Sequence, residues 1–204
     1  VYKAEQISLK RACAVKLLKA DVASTELMLR RFDAEAKAVA ALSHPNTVNI
    51  YDFGQDTDGT FFIAMEFVEG RSLRDVIHTE SPLPIRRALS IASQVASSLA
   101  DAHSHNIIHR DLKPDNVMLS VRGRQKDVVR VLDFGIAKLR DEGRATQAAM
   151  TQAGDMLGTP QYMAPEQIRA EQIDGRTDVY ALGCILYEML TGRMPFEGAT
   201  VLAI

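Results

Sequence analysis

His109-Arg110-Asp111-Leu112-Lys113-Pro114-Asp115-Asn116 is the stretch on which the reading of this chain turns. Pro114 forbids a helix running through it, so the stretch is a loop. Within six residues it offers a carboxylate (Asp111), an ammonium (Lys113) and a carboxamide (Asn116). Such a set can orient a hydroxyl, neutralise a transferring phosphoryl group and coordinate Mg²⁺. Before the loop, residues 84–105 carry Ile85, Leu89, Ala92, Val95, Leu99 and Ala102 at helical spacing, with Pro84 in a first-turn position. After it come Val117-Met118-Leu119, a variable stretch, and then Val128-Val129-Arg130-Val131-Leu132. This last run reads as an apolar strand, and it ends in Asp133-Phe134-Gly135. A charged loop alone is most simply a solvated loop. A second carboxylate at a strand end, where Mg²⁺ ligands often sit, argues for more.

Working outward, the first third reads as strands with one helix. Residues 11–19 contain Ala12-Cys13-Ala14-Val15-Lys16-Leu17-Leu18, an apolar strand with one lysine inside it. From 24 to 42, Met28, Phe32, Val39 and Leu42 recur at helical spacing, with Ser24 or Thr25 as N-cap. His44-Pro45-Asn46 ends that helix. Residues 48–53 and 60–67 read as an antiparallel strand pair joined at Gly54 and Gly59, and Glu69-Gly70 marks the boundary of a first unit. Glu35 falls on the apolar stripe of the helix, and Lys16 has the mirror-image problem in its strand. Taken singly, each is explained by a side chain snorkelling to water. Together they suggest a strand-to-helix ion pair. Near the end, residues 177–190 are apolar nearly all round, with Asp178 and Glu188 their only charges. Such a helix is the buried post of a larger domain and is too short to span a bilayer.

Composition narrows the classes further. The 204 residues are 47% hydrophobic and 25% charged, ordinary for a globular chain of one or two domains. The 24 Lys plus Arg against 26 Asp plus Glu leave a formal net charge of -2, which gives no general electrostatic claim on nucleic acid. Cys13 and Cys184 make neither a disulfide framework nor a zinc site and read as core thiols in a reducing compartment.

These motifs, in this order, resemble the protein kinases, and the phrases around them resemble the bacterial branch of the Ser/Thr kinases. Ala14-Val15-Lys16-Leu17 is similar to the strand-lysine motif, Glu35 to its helix partner, and 109–116 to the catalytic loop. Asp133-Phe134-Gly135 is similar to the metal-binding motif and Ala164-Pro165-Glu166 to the end of the activation segment. The resemblance implies an α+β, two-lobed fold. Residues 1–68 would form a small antiparallel β lobe with one helix, and residues 69–204 a larger, mainly helical lobe. It implies transfer of phosphate from MgATP to Ser or Thr hydroxyls of protein substrates. Lys16, oriented by Glu35, would hold the α- and β-phosphates. Asp111 would take or orient the hydroxyl proton, Lys113 would touch the γ-phosphate, and Asn116 with Asp133 would bind Mg²⁺. Adenine would lie between Val1 and Ala14 on one side and Met118 on the other. Glu66 and Val68, after the gatekeeper Met65, would offer backbone hydrogen bonds. Asp178 would bond the backbone of the catalytic loop as a structural residue.

Lys113 and Thr159 match the Ser/Thr rather than the Tyr pattern, Thr159 on the side of the protein substrate. Thr151, and with it Thr146, is the expected phosphorylation site, served by a basic pocket of Arg110 and Lys138. The resemblance also leaves room for a homodimer that phosphorylates in trans, for a cytoplasmic catalytic domain, and for membrane anchoring only through regions outside this chain.

The pattern departs from the family at its ends. The Gly-rich loop is missing, its last valine falling at Val1, and the final helices are missing too. Both ends are therefore read as cut, with the first strand an exposed edge, the outward face of the 177–190 helix bare, and activity of the isolated chain in question. Two other classes compete. A pseudokinase or scaffold would bind nucleotide without transfer, although Lys16, Asp111, Asn116 and Asp133 are all present. A small-molecule phosphotransferase of the aminoglycoside kind shares the lysine, aspartate and asparagine logic but not Thr159 or Ala164-Pro165-Glu166.

Overall fold

Four antiparallel strands form a first sheet in the order β1-β2-β4-β3: β1 (Tyr2–Gln6), β2 (Arg11–Leu18), β3 (Ile50–Gln55) and β4 (Phe61–Glu66). The computed structural model describes residues 1–18, 26–134 and 160–196. β2 takes an inner place because its run is apolar, and the register sets Ala14 opposite Met65 and Lys16 opposite Ile63. β1 is the edge strand, with Tyr2 well exposed. The β3–β4 turn closes through the Gly59 N–H on the Asp56 carbonyl, and Gly59 sits at φ +86°, a backbone conformation natural to glycine. Helix α1 (Glu26–Ala40) ends two residues before Leu42, and it buries Ala36 and Val39. The expected caps Ser24 and Thr25 lie outside the described residues, as do the side chains of Met28 and Phe32.

The remainder is mainly helical, with α2 (Leu73–Glu80), α3 (Ile85–Ser104), the single turn α4 (Pro165–Ile168) and α5 (Gly175–Thr191). A second sheet, in the order β5-β6-β7, joins β5 (Gly70–Ser72), β6 (Val117–Arg122) and β7 (Gln125–Val131). Gly70 is required there, because a Cβ would stand 2.2 Å from the Leu119 carbonyl oxygen. Helix α3 buries Ala88, Ile91, Ala92, Val95, Ser98, Leu99 and Ala102. Ile85 and Leu89, expected on that face, are 68% and 52% exposed. At about 3.6 residues per turn they fall on its flank, and Pro84 is the N-cap rather than a first-turn residue. Helix α5 buries the stripe Thr177, Asp178, Ala181, Cys184, Ile185, Glu188 and Met189 while Val179 and Tyr187 stay exposed. It is thus not buried on every side, and its outward face is bare. Gly192, at φ +71°, ends it in a left-handed cap. Both cysteines are buried and free.

One apolar core runs through both sheets, from Val39, Ile63 and Met65 to Val131, Phe134 and Ile185. Residues 44–49 help join the two parts. Although they follow α1, they lie on β7 and α3. Thr47 forms a parallel bridge with Val131, and the Val48 N–H donates to the Val131 carbonyl at 3.0 Å. The Thr47 and Ser98 hydroxyls meet at 2.7 Å.

Candidate active site

The loop 109–116 is built on one buried carboxylate. Asp178, 1% exposed in the first turn of α5, accepts the backbone N–H groups of His109 at 2.8 Å and Arg110 at 3.0 Å. It also accepts His103 Nε2–H at 2.7 Å. This is the structural aspartate expected from the sequence. A carboxylate in a helix's first turn is further favoured by the unpaired N–H groups there. Gly175 makes room for the arrangement, since a Cβ would lie 2.8 Å from the His103 ring. His109 is fully buried and its Nε2 meets the Leu132 carbonyl at 2.8 Å. A carbonyl only accepts, so Nε2 carries the hydrogen. The same ring tilts against Phe134 with centroids 4.7 Å apart.

The chemistry-bearing side chains follow from that anchorage. Asn116, in a 3-10 turn (Pro114–Asn116), donates Nδ2–H to the Asp111 carbonyl at 2.8 Å. Lys113 Nζ donates to Asp111 Oδ2 at 2.9 Å. The Leu132 N–H donates to the Asn116 carbonyl at 2.8 Å, which fastens the loop to the end of β7. One residue on, Asp133 takes φ +57°, uncommon for a residue with a Cβ and a form of strain that clusters at functional sites. Asp133 Oδ2 accepts from Lys16 Nζ at 2.7 Å, bringing β2 to the end of β7.

Lys16, Asp111, Lys113, Asn116 and Asp133 therefore share one neighbourhood. Glu35 is half-buried on α1 and has interactions of its own, but among the ion pairs of the described residues Lys16 is held by Asp133 rather than by Glu35. In this structure the Lys16 ammonium meets the carboxylate at the strand end, at 2.7 Å.

The apolar positions divide by burial. Met65 is buried, Ala14, Val68 and Met118 are partly buried, and Val1 is 80% exposed. A gap of about 20 Å³ behind Met65, lined by Val39, Ile63, Val131 and Phe134 among others, is a packing gap with no room for a ring. The Glu66 N–H is already donated to the Asn49 carbonyl at 2.9 Å, so it is not free for a ligand.

Several polar residues escaped the sequence reading. Arg74 on α2 donates to Glu188 Oε1 at 2.7 Å and to the Tyr162 hydroxyl at 2.7 Å, while that hydroxyl donates to Glu188 Oε2. Burial, with Glu188 alongside, holds the Tyr162 phenol far above its ordinary range, so it stays a neutral donor. Glu166 accepts from Thr177 Oγ1 at 2.9 Å, and Gln167 Nε2 donates to the Arg110 carbonyl at 2.7 Å. These bonds pin residues 160–168 beside the loop. The advance signals were Glu188, a charge in an otherwise apolar helix, and Glu166 in Ala164-Pro165-Glu166, while Arg74 and Gln167 gave none. Arg110 has partners of its own. Lys138, Thr146, Thr151 and Thr159 lie outside the described residues.

The oxygen donors suit a hard cation. The Asn116 Nδ2 is used on the Asp111 carbonyl, which leaves the carboxamide oxygen as the ligating atom, and Asp133 supplies a carboxylate. Asn116 and Asp133 thus fit Mg²⁺.

Comparison with known proteins places this arrangement. The profile of the family described as "Protein kinase domain" matches residues 1–203. The chain is 48% identical over 197 residues to "Serine/threonine-protein kinase pkn3" of Myxococcus xanthus, covering 97% of this chain and 36% of that protein. It is 44% identical over 208 residues to "Serine/threonine-protein kinase PknB" of Mycolicibacterium smegmatis, covering 100% of this chain and 32% of that one. The chain thus spans about a third of the length of these curated relatives. Among solved structures, the Mycobacterium tuberculosis PknI kinase domain (C20A mutant) matches with TM-score 0.74 at 28% identity, over 96% of this chain and 70% of that one. Rad53 1-466 in complex with AMP-PNP matches with TM-score 0.76 at 28% identity, over 98% of this chain and 47% of that one.

Proposed function

The chain belongs to the protein kinase domain family, and on that premise we propose that it transfers the γ-phosphoryl group of ATP to serine and threonine hydroxyls of proteins. The observation that carries this reading is the Asp111–Lys113–Asn116 cluster, locked to Asp178 and set beside the Lys16–Asp133 pair. Phosphoryl transfer needs little covalent chemistry from the protein, so fixed charges and positioned donors are the machinery. Asp111 accepts the hydroxyl proton or orients that hydroxyl. Lys113, already 2.9 Å from Asp111, holds the γ-phosphate beside it. Lys16 binds the α- and β-phosphates, which asks it to exchange Asp133 for the phosphates and for Glu35. Asn116 and Asp133 would hold Mg²⁺, which when bound supplies charge neutralisation on the phosphate oxygens. Val1, Ala14 and Met118 would flank the adenine, with Met65, Glu66 and Val68 along its edge.

The two lobes, 1–68 and 69–204, belong to the same proposal, as do phosphorylation of Thr151 and Thr146, substrate contact by Thr159, a cytoplasmic place of action and phosphorylation in trans within a homodimer. Among the described residues no helix is long and apolar enough to cross a membrane.

Intact-mass spectrometry after incubation with Mg²⁺ and ATP, beside an Asp111→Asn control, tests the reading. Phosphate-sized increments on the native chain alone, mapping to threonines, are expected. Equal increments on the control would overturn the role of Asp111. ATP binding with no transfer would favour the scaffold, and transfer to a small alcohol alone the small-molecule enzyme.

A further inference from the structure

Arg130 lies in β7 between Val129 and Val131, both fully buried, and is itself only 7% exposed. A guanidinium so placed must find a partner for its donors, and it finds three. Nη1 donates to the Pro45 carbonyl at 2.6 Å and to the Thr47 carbonyl at 3.0 Å. Nη2 donates to both oxygens of Glu66, at 2.5 and 2.7 Å. Asn49 closes the arrangement from the side. Its Nδ2 donates to Glu66 Oε2 at 3.1 Å, and its carbonyl accepts the Glu66 N–H at 2.9 Å.

For packing alone, an apolar side chain would serve this site as well as a buried ion pair. What the arginine adds is a fixed geometry, through a planar fork that lysine lacks. Three residues further along the chain stands Asp133, and directly opposite Arg130 in the β6–β7 register is Met118. We propose that Arg130, acting through Glu66 and Asn49, is a positioning residue that sets the backbone at 66–68 at a fixed distance from β7, and so couples the adenine edge to the metal carboxylate. The inference rests on the nucleotide site proposed above. In it the Arg130 guanidinium touches neither substrate nor cofactor and works by holding the backbone that does.

Two measurements on Arg130→Gln, Arg130→Lys and Glu66→Gln test it. In steady-state kinetics Arg130→Gln is expected to raise the apparent KM for ATP about tenfold, with kcat and the KM for a peptide substrate held. Arg130→Lys should fall between, because charge remains and the fork does not. In hydrogen exchange without nucleotide, the Glu66 amide should exchange about tenfold faster in Arg130→Gln than in the native chain. A rise in kcat at unchanged KM would overturn positioning in favour of a brake. So would equal losses toward ATP and peptide, or unchanged exchange at Glu66. If Arg130→Gln fails to fold, Arg130→Lys carries the kinetic measurement, and Glu66→Gln, which keeps the shape and removes the charge, carries the exchange measurement. A native chain that turns over no ATP would sink the functional reading, while exchange would still decide the clamp.

Discussion

The loop that carries Asp111 and the strand that carries Lys16 supply opposite sides of the site, and they are held in opposite ways. The loop is fastened from behind by buried groups: Asp178 on two backbone N–H groups, His109 on the Leu132 carbonyl, Asn116 on the Asp111 carbonyl. Lys16 emerges from a sheet whose outer strand is an exposed edge, and its fixed partner, Asp133, belongs to the other side. One side is thus pre-organised before anything binds, and the other takes its place through contacts that also do chemistry. The division suits phosphoryl transfer, in which placing the hydroxyl demands more precision than admitting the nucleotide.

The contrast is broken most severely at Asp111. Asp111→Asn should lower phosphoryl transfer by about 10²–10⁴-fold with unfolding unchanged, because the lost proton acceptor is partly exposed; radiolabelled transfer and a urea titration read the two effects. Next comes Asp178→Ala, which strands two buried N–H donors. A loss of about 3 kcal/mol or more is expected, as a lower urea midpoint at unchanged slope. Lys16→Met sharpens the comparison from the other side. Nucleotide binding should fail by calorimetry, while stability should fall by less than in Asp178→Ala, since Asp133 left without its partner is 27% exposed and can turn to water, whereas Asp178 is buried. The smallest effect is expected at Lys37→Ala. Its i,i+4 partner Asp33 is more than half exposed, so about 0.3–0.5 kcal/mol should be lost, and less in high salt.

Much of this was legible in the sequence where short-range pattern decides. The apolar run of β2, the hairpin at Gly59, the end of α1 and the anchoring role of Asp178 followed from spacing, composition and resemblance. What stayed hidden depended on which of several neighbours wins. The pattern along the chain offers Lys16 the carboxylate of Glu35, whereas in three dimensions Asp133, 117 residues away, reaches it. Ile85 and Leu89 fit a helical stripe as written, yet the buried face of α3 is set by what packs on it. Arg130 was counted as part of an apolar strand. Nothing nearby in the chain announces a partner 64 residues away.

The docking of residues 44–49 on β7 and α3 has a mechanical consequence. The Val131 N–H donates to the Asn46 carbonyl, the Val48 N–H donates to the Val131 carbonyl, and Arg130 reaches across to Glu66, so the four-stranded sheet is braced against β7 beyond the covalent link at 67–69. Such bonds act like the stays of a mast: any displacement of the sheet relative to β7 must first stretch them, and Lys16, carried by that sheet, meets Asp133 from a fixed side.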